Sequence, residues 1–140
     1  MKLFLMVLFL ALALNAEEVA IVKSVEGVAT LKSNAKVVSL TKGAKLSSKD
    51  VIMTENDSKV VVIFNDNSSL VLGSNSIFSI DKYIFKPIEK EYAFDLSLTK
   101  GSVSFESGKI GEVAPENFQL KTPEGVVGIR GTKFLVKVKG

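Results

Sequence analysis

Along most of this chain apolar residues recur at every second position, and that period limits the available folds more than any other feature. Tyr92, Phe94, Leu96 and Leu98 alternate with Ala93, Asp95, Ser97 and Thr99. Val103 and Phe105 alternate with Ser102, Ser104 and Glu106, while Phe118 and Leu120 alternate with Asn117, Gln119 and Lys121. Phe134, Val136 and Val138 stand between lysines and Leu135. An extended backbone points successive side chains to opposite sides, so each run predicts a strand with one buried and one wet face. Val60 to Phe64 differs: five apolar residues in a row predict a strand covered on both faces.

Turn signals separate these runs at short intervals: Ser24 to Gly27, Ser33-Asn34, Lys42-Gly43, Asn56-Asp57-Ser58, Gly73-Ser74-Asn75, Lys100-Gly101 and Ser107-Gly108. Asn65-Asp66-Asn67-Ser68 is the clearest, set between Val-Val-Val-Ile-Phe and Leu-Val-Leu, and predicts a hairpin. No segment beyond the N-terminal run has a convincing 3.6-residue period. About ten short strands with frequent turns predict an all-β domain. Ile84 to Tyr92, with Pro87 and several charges, reads as a loop or edge excursion, and Gly108 to Pro115 as a loose connection. Neither is long enough to divide the chain into two domains.

The N-terminus reads as an export signal. Lys2 precedes an almost unbroken apolar run from Leu3 to Leu14, and Asn15-Ala16 stands before Glu17-Glu18. The run is about half of what a bilayer span needs, and the small Ala16 suits a peptidase. The expected boundaries are therefore residues 1–16 for the signal and 17–140 for one β domain, with cleavage after Ala13 or an uncleaved anchor as the alternatives. Once the signal is removed, no stable membrane span is expected.

Composition excludes several function classes. Setting Lys2 aside, 17 of the 18 basic residues remain against 15 acidic ones, a balance too even to imply a nucleic acid or an anionic membrane as partner. There is no cysteine, hence no disulfide, no thiol nucleophile and no lipid-anchoring cysteine; there is no histidine, hence no Ser-His-Asp triad. Serine with lysine is left. Ser33/Lys36, Ser39/Lys42 and Ser97/Lys100 have the Ser-x-x-Lys spacing, but that spacing needs a helix to bring lysine onto the hydroxyl, and all three fall in strand or turn sequence. The oxygens of Asn65 to Ser68 lack the further ligands of a calcium loop, so Asp57 and Asp66 read as turn residues. No catalytic residue, metal or cofactor is expected.

One stretch stands out from the strands, Thr122-Pro123-Glu124-Gly125-Val126-Val127-Gly128-Ile129-Arg130-Gly131-Thr132-Lys133-Phe134. Its glycines do not form a phosphate loop, because a strand rather than a helix follows them. They are expected to permit bends or close backbone packing. Arg130 is the only arginine in the chain. Its planar, five-donor head suits either a structural clamp on carbonyls or carboxylates, or recognition of an acidic partner.

Taken in order, these pieces resemble the FecR domain family. Asp50-Val51-Ile52-Met53-Thr54 is similar to its GD-x-l-x-T segment, Asp66-Asn67-Ser68 to its DGS hairpin, and Leu70 to Ser76 to its l-x-l-g-x-x-S. Leu98-Thr99-Lys100-Gly101-Ser102-Val103 is similar to L-x-x-G-x-v, and Thr122 to Phe134 to the closing TP-x-a-x-x-G-v-RGT-x-F. The likeness runs from about Val25 to Val138. Lys49 and Asn67 stand where the family has glycine. The motif residues carried over are Asp66, Ser68, Thr122, Pro123, Gly125, Gly128, Arg130, Gly131, Thr132 and Phe134.

The resemblance implies a twisted stack of short antiparallel hairpins, roll- or solenoid-like or a sandwich, that is non-enzymatic and acts through protein contacts. The family's namesake links an outer-membrane receptor to a cytoplasmic sigma factor through a membrane helix and an anti-sigma segment. Neither segment is present in this sequence, so no relay across the membrane by this chain alone is expected. The expectation is a periplasmic or secreted protein of a Gram-negative-type bacterium that binds other envelope proteins, with exposed strand edges as the place where a partner adds a strand. The alternative is an envelope structural or glycan-associated module.

Overall fold

In the computed structural model, which describes residues 17–129 and 132–139, the alternating runs become twelve strands joined into one curled, mostly antiparallel sheet, a half-barrel. They are β1 (Glu18–Glu26), β2 (Ala29–Ser33), β3 (Lys36–Ser39), β4 (Lys45–Ser47), β5 (Val51–Thr54), β6 (Lys59–Phe64), β7 (Ser69–Leu72), β8 (Ile77–Lys86), β9 (Glu91–Glu106), β10 (Phe118–Thr122), β11 (Gly125–Val127) and β12 (Lys133–Val138). The all-β expectation holds. The signal segment, residues 1–16, lies outside the described residues.

The fold turns on β9. Its first half pairs with β8 on one side and, in parallel, with β10 on the other; its second half pairs with β7 and β12. One strand therefore serves two walls of the half-barrel. The buried side chains change phase to allow this: Phe94, Leu96 and Leu98 face the core in the first half, Val103 and Phe105 in the second. A one-residue slip would turn the apolar set outward unless the backbone kinked. Gly101, at φ +97°, supplies the kink, and a Cβ there would strike Ser76. The Lys100-Gly101 signal, expected as a turn, is this kink inside a strand.

Inside the curl the rings of Phe64, Tyr83, Phe94, Phe105, Phe118 and Phe134 form a continuous row, with neighbouring centroids from 4.6 Å for Phe105–Phe118 to 5.9 Å for Phe118–Phe134. They come from five different strands, β9 supplying both Phe94 and Phe105, so the row stitches the sheet together across its concave side. Phe94 touches four of the others and is 1% exposed.

Three local expectations are corrected. Val60, Val62 and Phe64 are buried but Val61 and Ile63 are only half-covered, so β6 has one core face and a partly wet one. Both faces are apolar because β6 lies between β1 and β7, where β-branched side chains pack against cross-strand neighbours even on the outer side. Ile84 to Tyr92 is no excursion: Ile84 pairs with Ala93 and Lys86 with Glu91, so the segment is the far end of the β8–β9 hairpin, and Pro87 sits in its turn. Gly108 to Pro115 is ordered as a five-residue helix, α1 (Lys109–Val113), followed by a 3₁₀ turn at Pro115–Asn117. A single helical turn is too short to show a period; Ile110, fully buried, and Asp66 hold it in place.

Candidate functional site

The sequence motifs fall at two places. The first is the β6–β7 hairpin. Asp66 is 2% exposed, and its carboxylate accepts four hydrogen bonds. Oδ1 takes Ser68 N–H at 3.2 Å and the Tyr83 hydroxyl at 3.3 Å; Oδ2 takes the Ser68 hydroxyl at 2.8 Å and Ile110 N–H at 2.9 Å. Tyr83 Oη in turn accepts Asp66 N–H, and Ser68 Oγ accepts Gly108 N–H at 2.8 Å. Gly108 is tied to this spot, since a Cβ on it would lie 2.6 Å from Asn67 C and Ser68 N. Burial first, and then the negative charge of Asp66, push the Tyr83 hydroxyl far above the usual phenol range. Asp66 stands in the hairpin turn, as expected, and Asn67 takes the left-handed position at φ +70°; the Asp66 side chain is also the buried fastener that joins hairpin, β8 and α1.

Four more polar residues do the same at other turns, and nothing in periodicity or spacing singled them out. Asp50 accepts Ser33 Oγ–H at 2.6 Å and Ser47 N–H at 2.9 Å. Thr54 Oγ1 donates to Gly73 O and accepts Ser76 N–H. Ser58 Oγ accepts Val28 N–H and Ser76 Oγ accepts Ser102 N–H. Among the described residues every buried side-chain nitrogen or oxygen has a partner. These groups are spent on holding turns, as buried polar atoms must be. The Ser-x-x-Lys serines are likewise in sheet structure: Ser33 bonds Asp50 and Ser97 bonds Asp81.

The second place is the β10–β11 hairpin with β12. Thr122 closes its turn: Oγ1 donates to Gly125 O at 3.0 Å and accepts Glu124 N–H at 3.1 Å, with Pro123 between them. Gly125 has φ +153° and needs glycine for that bend. Gly128 is different. Its φ is not in the left-handed region, and a Cβ there meets nothing within 4 Å among the described residues, so neither a bend nor close packing explains it. Thr132 accepts Ser107 N–H through its carbonyl at 2.8 Å, and Phe134 completes the aromatic row. Arg130 and Gly131 lie outside the described residues.

Between β11 and β12 runs an open slot of about 270 Å³, lined by Thr122, by Glu124 to Val127, and by Val136 to Val138. β11 has β10 as its one strand neighbour and β12 has β9, so each presents its other edge. Edges also end the sheet at β3 and β4. Among the described residues no cluster of acidic side chains could hold a metal ion, and no helix is long and apolar enough to cross a membrane.

A family model described as FecR protein matches residues 50–140. Among solved structures, one described as a cell surface anchoring domain is similar at 22% sequence identity and a TM-score of 0.43, over 44% of this chain and 83% of that one. No curated protein matched the chain.

Proposed function

Because this chain belongs to the FecR family, we propose that it is an exported, non-enzymatic domain that binds other proteins of the bacterial envelope. The observation that carries the reading is the pair of strands bordering the β11–β12 slot, each with one edge unpaired among the described residues. An unpaired edge offers a row of backbone donors and acceptors to an incoming strand, and such edges are normally blunted or covered. The Thr122 to Phe134 motif supplies the β10–β11 side of this slot, which supports a link between the family's closing signature and binding. The buried carboxylates and hydroxyls support the non-enzymatic part, because each is already engaged within the fold.

In this reading residues 1–16 direct export and 17–140 act in the periplasm or beyond it, in sensing or regulation through a contacted protein. A glycan-associated role is the second reading, favoured by a separate polar cleft of about 300 Å³ lined by Asp95, Glu116, Asn117 and Gln119. Capture of the tagged protein from envelope extracts, with cross-linking and mass spectrometry, separates the two. A TonB-dependent receptor or membrane regulator among the cross-linked proteins supports the first; retention on cell-wall glycan alone refutes it.

A further inference from the structure

The lining of the β11–β12 slot shows how it is made. A sheet face displays alternate residues, yet both strands line the slot with consecutive ones, so it is viewed along their edges. Backbone groups as well as side chains are therefore on offer. Gly125, which the bend requires, also leaves the backbone bare at the β11 side of the slot, since a Cβ there would meet nothing within 4 Å.

We propose that this slot takes an extended, acidic segment of a partner protein, which adds to β12 as a further strand. The inference rests on the protein-binding reading above and narrows it to one edge and one chemistry. On the outward face of β12, Lys133, Leu135 and Lys137 alternate with the inward Phe134, Val136 and Val138, and Leu135 is 63% exposed. A strand beside them is stabilised by a carboxylate opposite each lysine, an apolar residue opposite Leu135, and apolar residues on the side facing Phe134 and Val136. Glu106 of β9 stands opposite Lys133, whereas Ser102 stands opposite Lys137, so Lys137 has no carboxylate directly across from it on β9. Lys139 follows on the same end, and Glu124 is the one acidic residue on the slot's rim.

A second copy of the chain does not fit this slot. Its β11 edge is only three residues long, its other spare edges carry Lys36 on β3 and Lys45 on β4, and pairing β12 with β12 about Leu135 sets Lys133 against Lys137. Like charges placed opposite one another disfavour pairing, and edge lysines are a common guard against it. The same lysines that repel a copy attract an acidic strand.

The test uses the full exported chain and two capped heptapeptides of valine and threonine, one with two glutamates spaced to face Lys133 and Lys137, the other with two lysines. Titration followed by amide NMR shifts and hydrogen exchange should show the glutamate peptide binding about tenfold tighter, with slowed exchange in β11 and β12. Lys137→Glu should weaken it about fivefold, and Glu124→Lys should strengthen it by a similar factor. Both residues are exposed, so both variants are expected to fold. Equal binding of the two peptides, binding of neither, protection confined to β3 or β4, or self-association through β12 would overturn the proposal. Any of these, together with a cross-linked envelope protein, leaves the broader binding function standing; peptide binding with glycan capture alone refutes that function and keeps the slot.

Discussion

Replacing Asp66 by asparagine tests whether a buried carboxylate holds this fold's hairpin, β8 and α1 together. The two side chains have nearly the same shape, so packing is unchanged and only hydrogen-bonding capacity differs. Asp66 accepts on both oxygens, two donors on each. An amide keeps one oxygen and turns an NH₂ toward the other pair. If the oxygen stays at Oδ1, Ile110 N–H loses its acceptor and faces a donor; if it stays at Oδ2, Ser68 N–H and the Tyr83 hydroxyl do. A lost bond to a charged acceptor is worth about 1.5–3 kcal/mol, and the stranded N–H adds its own desolvation, so about 2–4 kcal/mol of stability should go. The chain has no tryptophan, so urea unfolding is followed by far-ultraviolet circular dichroism. The midpoint should fall with an unchanged slope, and exchange of the Ile110 and Ser68 amides should rise beyond the global change. A loss below about 0.5 kcal/mol, the size of an ordinary surface change, would refute the fastener role.

Other outcomes follow from the same physics. Lys49 has φ +80°, a left-handed conformation that glycine adopts without strain, so Lys49→Gly should raise stability by about 0.5–1 kcal/mol in thermal unfolding. Tyr83 has its folded-state pKa raised from 10.0, so its contribution is complete below pH 10 and is lost as pH rises beyond that value. Tyr83→Phe should therefore cost about 1 kcal/mol at neutral pH, from the lost hydroxyl bonds, and should show a shallower decline above pH 10 than the unmodified protein in alkaline denaturation scans. Arg130→Lys tests the clamp reading of the sequence: a melting temperature lowered by more than a surface change of about 0.5 kcal/mol supports it, and unchanged melting with weakened partner binding supports recognition instead.

Much of this fold was legible in the sequence because a half-barrel with one wet side imposes strict alternation on its strands. The buried set of β9 could be read residue by residue, and Lys100-Gly101 marked where its phase changes, although a kinked strand and a turn give the same signal. The β6–β7 hairpin was legible for a similar reason, since Asn67 occupies a left-handed position. Other features carried no local sign. α1 is held by Ile110 and by Asp66, 44 residues earlier in the chain, and no window around Gly108 contains that partner. Thr54, Ser76 and Ser102 fall within motif segments, but their mutual hydrogen bonds cross between turns and so had no local sign. Of the β11–β12 slot, the β10–β11 side lies in the Thr122 to Phe134 motif and was visible at once. That β12 comes to border it depends on β9 sending β10–β11 to one wall and β12 to the other.

The most direct test of the account is site-specific photo-cross-linking in living cells, with the cross-linker at Leu135 on β12, at Val126 on β11 and at Ile88 on the β8–β9 turn, which is 94% exposed. Leu135 and Val126 should both give a covalent adduct with the same second envelope protein, lost in the Lys137→Glu background, while Ile88 gives none. An adduct formed from Ile88 alone, or from none of the three, would contradict the claim that this chain works through its β11–β12 edges.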